Sequence, residues 1–301
     1  MPILQVVSSR TNAGKSTIVV ALAQGFARAG RRVRIERAGD GAAAIADAGV
    51  FSEFLFASST GRPVARAPAP AGDEVVLVEM DAGAALPAGM QALVAVRTAP
   101  DEADRALAAT LGDRLIGSIA VAVDPEAIEA VARELTNGGL RPLALLPEEL
   151  TLAAPSVAEI GEALGATVLH AAENENEVVE DVLIGPVYAD PARPHFRRYA
   201  HKAILAPFNK ADLHLAAIET DAACLVITGG KDPSPYIIDR AQHGNTTLLL
   251  SPKDTPGTVA SLGDVWSRSR FRGEGKAAAA FAALESRLDF AGLLRKLGDG
   301  P

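Results

Sequence analysis

The chain has 301 residues, of which 49% are hydrophobic, 22% charged and 4% aromatic, and its net charge is −8. This composition excludes a disordered, collagenous or coiled-coil chain, and the length predicts two domains. The negative charge argues against nucleic acid as a partner. The one cysteine, Cys224, cannot form an internal disulfide. With no leader peptide and no 18-residue apolar run, we expect a soluble cytoplasmic protein without a membrane partner.

Apolar runs of strand length alternate with amphipathic helical segments in the first half of the chain. The predicted strands are 3–7, 33–35, 75–78, 93–96, 116–123, 143–146 and 167–169, and the predicted helices lie near 16–29, 101–111, 125–135 and 157–164. Such a succession predicts a parallel sheet covered by helices on both faces. We place this first α/β domain at residues 1–170.

A change of composition predicts a connection after the first domain. The polar run 173–177 is followed by Pro186, Pro191 and Pro194. Beyond it, strands predicted at 203–205, 224–227 and 247–250 alternate with helices at 212–219, 235–242 and 256–265. They predict a second, smaller α/β domain at 180–270, followed by C-terminal helices at 271–301.

The first predicted strand runs directly into a segment that is typical of phosphate-binding loops. Gly14, Lys15 and Ser16 fit the end of the pattern Gly-x-x-x-x-Gly-Lys-Ser/Thr, whereas Ser9 stands where the first glycine belongs. Backbone N–H groups at the helix N-terminus would surround an anion, Lys15 would reach the outer phosphates, and the Ser16 hydroxyl would ligate Mg²⁺. The predicted nucleotide-binding residues are Arg10, Thr11, Asn12, Ala13, Gly14, Lys15, Ser16 and Thr17.

Acidic residues after the second and third strands are candidate metal ligands. Glu79 ends the strand 75–78, where phosphate-binding-loop proteins place a carboxylate near the metal, and Asp81 competes with it for that role. Asp47, with Asp40 as the alternative, follows the second strand. The pattern therefore predicts Mg²⁺ at Ser16, Glu79 and Asp47. The scattered histidines have no metal-ligand spacing, so no transition metal is expected.

These motifs resemble two known families. Residues 1–170 are similar to the dethiobiotin synthetase-like branch of P-loop proteins, in which the loop is paired with a later Val-Glu-Gly-x-Gly strand end, here Val78-Glu79-Met80-Asp81-Ala82-Gly83. The segment 202–220, followed by Thr228-Gly229-Gly230, resembles a DRTGG domain. Their joint order is similar to the N-terminal, non-catalytic half of long phosphate acetyltransferases and to stand-alone relatives of that half.

The resemblance implies a regulatory protein that binds Mg²⁺ and ATP, or another purine nucleotide, and senses a ligand with its second domain. The implied ligand loops hold Asn209, Lys210, Thr228, Gly229, Gly230 and Asp254. It also implies a homodimer and an enzyme of acyl metabolism as a partner, with no phosphate acetyltransferase activity in this chain. The alternatives are an ATP-dependent ligase of the dethiobiotin synthetase type and a degenerate scaffold that binds no nucleotide.

Two arginines bear on these alternatives. Arg37 stands where the synthetase branch carries a substrate lysine, which argues against the ligase, while the intact Gly14-Lys15-Ser16 argues against the scaffold. Arg10 stands where some P-loop dimers carry a second lysine that reaches the partner's nucleotide. It either does the same or faces solvent.

Overall fold

The computed structural model describes residues 2–65, 73–84, 87, 89–173, 177–186 and 189–298, with 189–191 by their backbone alone. Three residues of the predicted polar connection, 174–176, lie outside these ranges. The chain divides into two compact units, Met1–Glu149 with Lys276–Pro301, and Leu150–Gly275. Each unit has its own sheet, which confirms the predicted α/β class with a smaller second domain. None of the helices in the described ranges has the length and apolarity that crossing a membrane requires.

The first unit is built on six parallel strands in the order β2-β3-β1-β4-β5-β6. The strands are β1 (Ile3–Val7), β2 (Val33–Arg37), β3 (Val75–Glu79), β4 (Gln91–Arg97), β5 (Leu115–Val123) and β6 (Pro142–Pro147). They are rich in Val, Leu and Ile and mostly buried, as expected of parallel strands that are covered on both faces.

Four helices of the first unit connect these strands: α1 (Lys15–Arg28), α2 (Ala42–Phe51), α3 (Glu102–Leu111) and α4 (Ile128–Asn137). The sequence analysis did not predict α2. Its buried residues are Ala44, Ala48, Val50 and Phe51, and two of the four are alanines. In an Ala-rich segment the buried positions cannot be distinguished from the exposed ones by hydrophobicity, although alanine strongly favours the helix.

The second unit contains a five-stranded sheet in the order β7-β11-β10-β9-β8. Its strands are β7 (Thr167–His170), β8 (Asp181–Ile184), β9 (Lys202–Pro207), β10 (Cys224–Thr228) and β11 (Thr247–Leu250), of which only β7 runs antiparallel to its neighbour. Its helices are α5 (Leu150–Ala153), α6 (Val157–Leu164), α7 (Ala189–Phe196), α8 (Ala211–Ile218), α9 (Pro235–Gly244), α10 (Thr255–Ser261) and α11 (Val265–Arg268).

Two helical layers cover this second sheet. Helices α7, α8 and α9 pack on one face, where Ala216 and Ile237 are buried. Helices α6 and α11 pack on the other face, where Ile160 and Val265 are buried. Cys224 faces this second layer, and burial raises the pKa of its thiol to about 12, so the thiol is an unreactive core group.

The structure divides the chain at a different place from the predicted boundary at residue 170. Strand β7 pairs with β11, and α6 packs against Val226 and Leu249, so both elements belong to the second unit. The hydrophobic period predicts that a strand forms but not which sheet it joins. The prolines predicted to lie in a connection are partly helical, since Pro191 lies in the first turn of α7, where its missing N–H is tolerated, and Pro194 lies inside the helix.

The two C-terminal helices are α12 (Gly273–Glu285) and α13 (Phe290–Lys296). The predicted helices at 271–301 are therefore present, and from Lys276 onward they belong to the first unit. Phe290 of α13 packs edge-to-face on Phe26 of α1, with 6.1 Å between the ring centroids. Such aromatic pairs add to the stabilisation that comes from burying the rings.

Candidate functional site

The predicted phosphate-binding loop lies at the carboxyl edge of the first sheet, between β1 and α1. Val76 and Val78 of β3 face the layer that contains α3 and α4. Glu79 alternates with Val78 and therefore faces the other side of the sheet, where Ser16 of α1 contacts it. β1 and β4 are neighbours and lead to helices on opposite faces, an arrangement that in open α/β sheets places ligands between such loops.

Gly14 ends the loop and is the N-cap of α1. Its φ of 82° is left-handed, and a Cβ there would lie 2.4 Å from the Cγ2 atom of Val121, so both the conformation and the packing require glycine. A glycine cap has no side chain that competes for the first backbone N–H groups of the helix. The N-terminus of α1 is therefore suited to an anion.

Lys15 is folded back along this loop. Its side chain is 7% exposed, and Nζ donates a hydrogen bond to Ser8 Oγ at 3.0 Å. The Ser8 hydroxyl in turn donates to the carbonyl oxygen of Arg10 at 2.6 Å. Burial lowers the pKa of Lys15, while the nearby Glu79 carboxylate opposes this shift.

Ser16 and Glu79 form the polar pair that the motif predicts. The Ser16 hydroxyl donates to Glu79 Oε1 at 3.3 Å, and Glu79 is only 3% exposed. Burial raises the pKa of Glu79 to about 7, and Asp47 adds to the shift. Among the described residues, Glu79 Oε2 is buried and accepts no hydrogen bond. A cation at this carboxylate would satisfy the oxygen, so the pair fits Mg²⁺, which prefers oxygen ligands and commonly takes one or two carboxylates together with phosphates.

Arg37 lies among the acidic residues of this site, and its contacts there were not predicted from the sequence. It is 4% exposed; its Nη2 lies 2.6 Å from Asp81 Oδ1, and its Nε lies 3.2 Å from Asp47 Oδ2 and 3.7 Å from Glu79 Oε1. It also donates a hydrogen bond to the carbonyl oxygen of Ala38. Asp47, the predicted second metal ligand, and Asp81, the alternative to Glu79, thus both pair with this guanidinium.

The remaining candidate ligands do not form a metal cage by themselves. In the described ranges, no group of three or more His, Cys, Asp or Glu side chains is placed to hold a metal ion. Asp40 is exposed. Of the other predicted loop residues, Thr11 and Asn12 are exposed, Ala13 is buried and Thr17 is half-buried. The geometry therefore brings together Lys15, Ser16 and Glu79, whereas Asp47 as a metal ligand stays a prediction.

Ser9, the departure from the loop pattern, anchors the loop to α3. Its hydroxyl donates to Asp104 Oδ1 at 2.6 Å, and Asp104 is 1% exposed and forms a capping box with Asp101. The Arg10 guanidinium lies 3.5 Å from Asp101 Oδ2 and 3.7 Å from Asp104 Oδ2, and it donates to the carbonyl oxygen of Arg97. Arg10 thus binds its own chain, which neither predicted role for it anticipated.

Replacing Ser9 with alanine should lower the free energy of unfolding by about 1.5–3 kcal/mol, because a buried carboxylate loses a charge-assisted hydrogen bond. Urea unfolding followed by circular dichroism measures the change. Ser52→Ala is the control, since this exposed hydroxyl donates to a carbonyl oxygen of its own turn, Gly49 O. Equal effects of the two variants would contradict an anchoring role for Ser9.

The loops predicted to bind a ligand in the second unit meet at the carboxyl edge of its sheet. Phe208 N donates to Thr228 O at 3.0 Å, and Gly229 N donates to Lys253 O at 2.7 Å. Asn209 and Lys210 follow Phe208, and Gly230 follows Gly229. Asp254 Oδ1 accepts from Gly257 N at 2.9 Å and thereby caps α10. The structure therefore brings the predicted residues together, with Asp254 committed to a helix cap.

His214 is a buried group next to this edge, and it should make the protein sensitive to acid. Its Nε2 lies 2.9 Å from the carbonyl oxygen of Pro207, so Nε2 carries the proton and donates it. Its Nδ1 is buried and has no hydrogen-bond partner in the part of the chain that the structure describes. Burial lowers the pKa of His214 from its ordinary 6.5, against the opposing effects of the Pro207 hydrogen bond and Asp212.

The contribution of His214 to the free energy of unfolding should fall as the pH drops below 6.5, because the unfolded chain then takes up a proton at this histidine while the folded chain does not. Glu79, whose pKa is raised to about 7, contributes in the opposite direction, so the measurement compares the variant with the unmodified chain. In His214→Gln, which keeps a donor for Pro207 O but cannot titrate, the loss should be smaller. Urea unfolding at about pH 7.5 and about pH 5.5 compares the two. The exposed His243→Gln is the control, and equal pH dependence of His214→Gln and the unmodified chain would contradict the account.

Comparison with known proteins supports part of the predicted resemblance. Residues 159–265 match the DRTGG domain, which confirms this assignment for the second unit. An alignment 163 residues long, which covers 49% of this chain and 22% of the other protein, shows 27% identity to phosphate acetyltransferase of Nitratidesulfovibrio vulgaris. The match thus spans about a fifth of the length of that relative.

Two solved structures are also similar. The CBS and DRTGG domains of the regulatory region of Clostridium perfringens pyrophosphatase, complexed with its activator diadenosine tetraphosphate, share 21% identity with this chain over 42% of its length and 54% of theirs, at a TM-score of 0.35. The MinC:MinD cell division protein complex of Aquifex aeolicus shares 12% identity over 50% of this chain and 84% of the matched chain, at a TM-score of 0.34.

Proposed function

We propose that the first unit binds the phosphates of a purine nucleotide together with Mg²⁺, and that the second unit senses a small ligand and makes the protein regulatory. The observation that carries the first part is the Ser16 hydroxyl on Glu79 Oε1, beside a buried Oε2 that accepts no hydrogen bond among the described residues. A bound cation gives that oxygen its missing partner. The adjacent Lys15 and the N-terminus of α1 supply the attraction for an anion.

In this proposal each residue of the site has one task. Ser16 and Glu79 would hold Mg²⁺, which neutralises phosphate charge when bound. Lys15 exchanges its hydrogen bond to Ser8 for one to a phosphate oxygen, and Gly14 lets the backbone approach the anion. Ser9 and Asp104 keep the loop fixed while this exchange takes place.

The regulatory part rests on the DRTGG match and on the similarity to phosphate acetyltransferase. We extend it to a homodimer that acts on an enzyme of acyl metabolism without transferring acyl groups itself. Light scattering at twice the chain mass would support the dimer, and a monomer mass with and without nucleotide would contradict it. The ligase alternative is weaker, because Arg37, in the position of the substrate lysine, is committed to Asp47 and Asp81.

A thermal-shift panel tests the proposed function. Purine and pyrimidine nucleotides are added to the full chain with Mg²⁺ and, in parallel, with a chelator. We expect a rise in Tm with a purine nucleotide that is larger in the presence of Mg²⁺. No rise with any nucleotide at millimolar concentration would contradict the proposal and favour the scaffold alternative.

A further inference from the structure

We propose that the carboxyl edge of the second sheet binds an anion that carries several phosphate groups, with Lys210, Lys231 and Lys253 as its cations. This inference rests on the proposed sensing function and names its ligand class. Each of the three lysines follows a different strand, β9, β10 and β11, and these strands are neighbours in the sheet. Neither Lys231 nor Lys253 belongs to the set that the sequence predicts.

At this edge the chain leaves two neighbouring strands toward opposite faces of the sheet. From β10 the chain passes to α9, which packs with α8 on one face of the sheet. From the adjacent β11 it passes to α10, which contacts α6, and on to α11 on the opposite face. Neighbouring parallel strands whose connections leave to opposite faces are the usual place for a ligand in an open α/β sheet.

Two glycines let the loops at this edge come close together. Gly229 has a φ of 102°, and a Cβ there would lie 2.9 Å from Phe208 Cδ1. Gly230 has a φ of 64°, and a Cβ there would lie 3.2 Å from Pro252 O. Gly230 N also donates to Ser251 O at 3.0 Å. The loops after the three strands are thus held against one another, and this fixes the backbone positions of the three lysines.

A hydroxyl pair between these loops adds a hydrogen-bond donor. Thr228 is buried at the end of β10, and its Oγ1 lies 2.7 Å from Thr255 Oγ1 at the start of α10. This hydrogen bond uses the proton of one hydroxyl, so the other hydroxyl is able to donate to a ligand oxygen. A phosphate oxygen suits this position, because it accepts from hydroxyl and ammonium groups alike.

The charges at the edge favour an extended anion over a single small one. Strands in a sheet lie about 4.8 Å apart, so lysines that follow three successive strands begin about 10 Å from the first to the last. Lys231 Nζ lies 4.9 Å from the centroid of the Phe208 ring, and Lys253 Nζ donates to Ser261 Oγ at 2.7 Å. A chain of phosphates can contact cations at this spacing.

Each lysine has an acidic neighbour, and these carboxylates limit the charge of the edge before a ligand binds. Asp254 gives one oxygen to the cap of α10, and Asp212 lies in the first turn of α8. Asp232 is exposed beside Lys231. These carboxylates offset the lysines, so the preference for an extended anion rests on spacing: a single phosphate cannot reach lysines that begin about 10 Å apart, whereas a chain of phosphates can contact all three.

Calorimetric titration with inorganic triphosphate tests the proposal on the full chain. Lys15→Ala removes the site in the first unit, so both proteins in the titration carry this change. One carries Lys15→Ala alone, and the other also carries Lys231→Ala and Lys253→Ala. We expect triphosphate to bind the Lys15→Ala chain and the affinity to fall at least about tenfold when the two edge lysines are also removed. Lys296→Ala, an exposed lysine on α13, is the matched control and should leave the affinity unchanged.

Three outcomes would overturn the inference: no binding of triphosphate to the Lys15→Ala chain, equal binding with and without the edge lysines, or equal affinity for triphosphate and monophosphate. Circular dichroism verifies that each variant is folded, and Lys253→Gln gives a second, milder change. If triphosphate does not bind the Lys15→Ala chain but a nucleotide binds the unmodified chain, the edge site is refuted and the proposed function of the first unit stands. No nucleotide binding by the unmodified chain refutes the proposed function of the first unit.

Discussion

Replacement of Arg37 by methionine should lower the free energy of unfolding by about 3–5 kcal/mol. Arg37 is 4% exposed and lies against the carboxylates of Asp47, Glu79 and Asp81. Removing the guanidinium leaves the buried Glu79, and the partly exposed Asp47 and Asp81, without their opposite charge, and this costs more than the loss of an exposed pair. Urea unfolding of the two proteins, followed by circular dichroism, measures the loss.

Two further variants make this prediction specific. Arg268→Met breaks an exposed pair with Asp264 at 2.8 Å and should have little effect. Arg37→Met combined with Asp81→Asn should cost less than the sum of the single changes, because the two residues share one interaction. Equal losses from Arg37→Met and Arg268→Met would show that the Arg37 cluster does not stabilise the first unit.

Lys15→Ala should abolish the stabilisation that a nucleotide gives. A ligand at about 100 times its Kd raises the free energy of unfolding by about 2.7 kcal/mol if it binds only the folded chain. Lys15 is the buried cation nearest to the α1 N-terminus and is placed to leave Ser8 for a phosphate, so the variant should show no such rise. The measurement is urea unfolding with and without Mg²⁺ and ATP.

Lys296→Ala is the matched control for Lys15→Ala, and it should keep the full stabilisation because it lies on α13, outside the loop. A rise of the same size in the Lys15→Ala and Lys296→Ala chains would mean that any nucleotide binds elsewhere. The unliganded stability of each variant is measured in the same experiment, so a folding defect is separated from a binding defect.

The strands of the first sheet could be predicted because each is a short apolar run with helical segments on either side. Residues such as Val75, Val76 and Leu77 are adjacent and all apolar, so both faces of their strand must be covered, as in a parallel sheet with helices on either side. The partner of β7 could not be predicted, because pairing with β11 joins residues about 80 positions apart. Strand β8 was missed because its four residues, Asp181–Ile184, stand among polar residues and prolines.

In the candidate site, too, residues that belong to a local motif could be predicted, whereas contacts between residues far apart in sequence could not. Lys15 and Ser16 could be predicted from a motif that is continuous in sequence, and Glu79 could be predicted from its position at the end of an apolar strand. The pair of Ser9 and Asp104 joins residues 95 positions apart, and no local pattern marks it. Arg37 could have been suspected from its position in the lysine slot, but its three carboxylate contacts depend on how β2, α2 and the end of β3 converge.

Calorimetric titration of the full chain with ATP in the presence of Mg²⁺ tests the central claim most directly. The account predicts binding at one site per chain, loss of the binding heat in Lys15→Ala, and a weaker dependence of affinity on Mg²⁺ in Glu79→Gln. It predicts no change for Lys296→Ala. Absence of binding heat with ATP and with other purine nucleotides at millimolar concentration, or unchanged binding by Lys15→Ala, would contradict it.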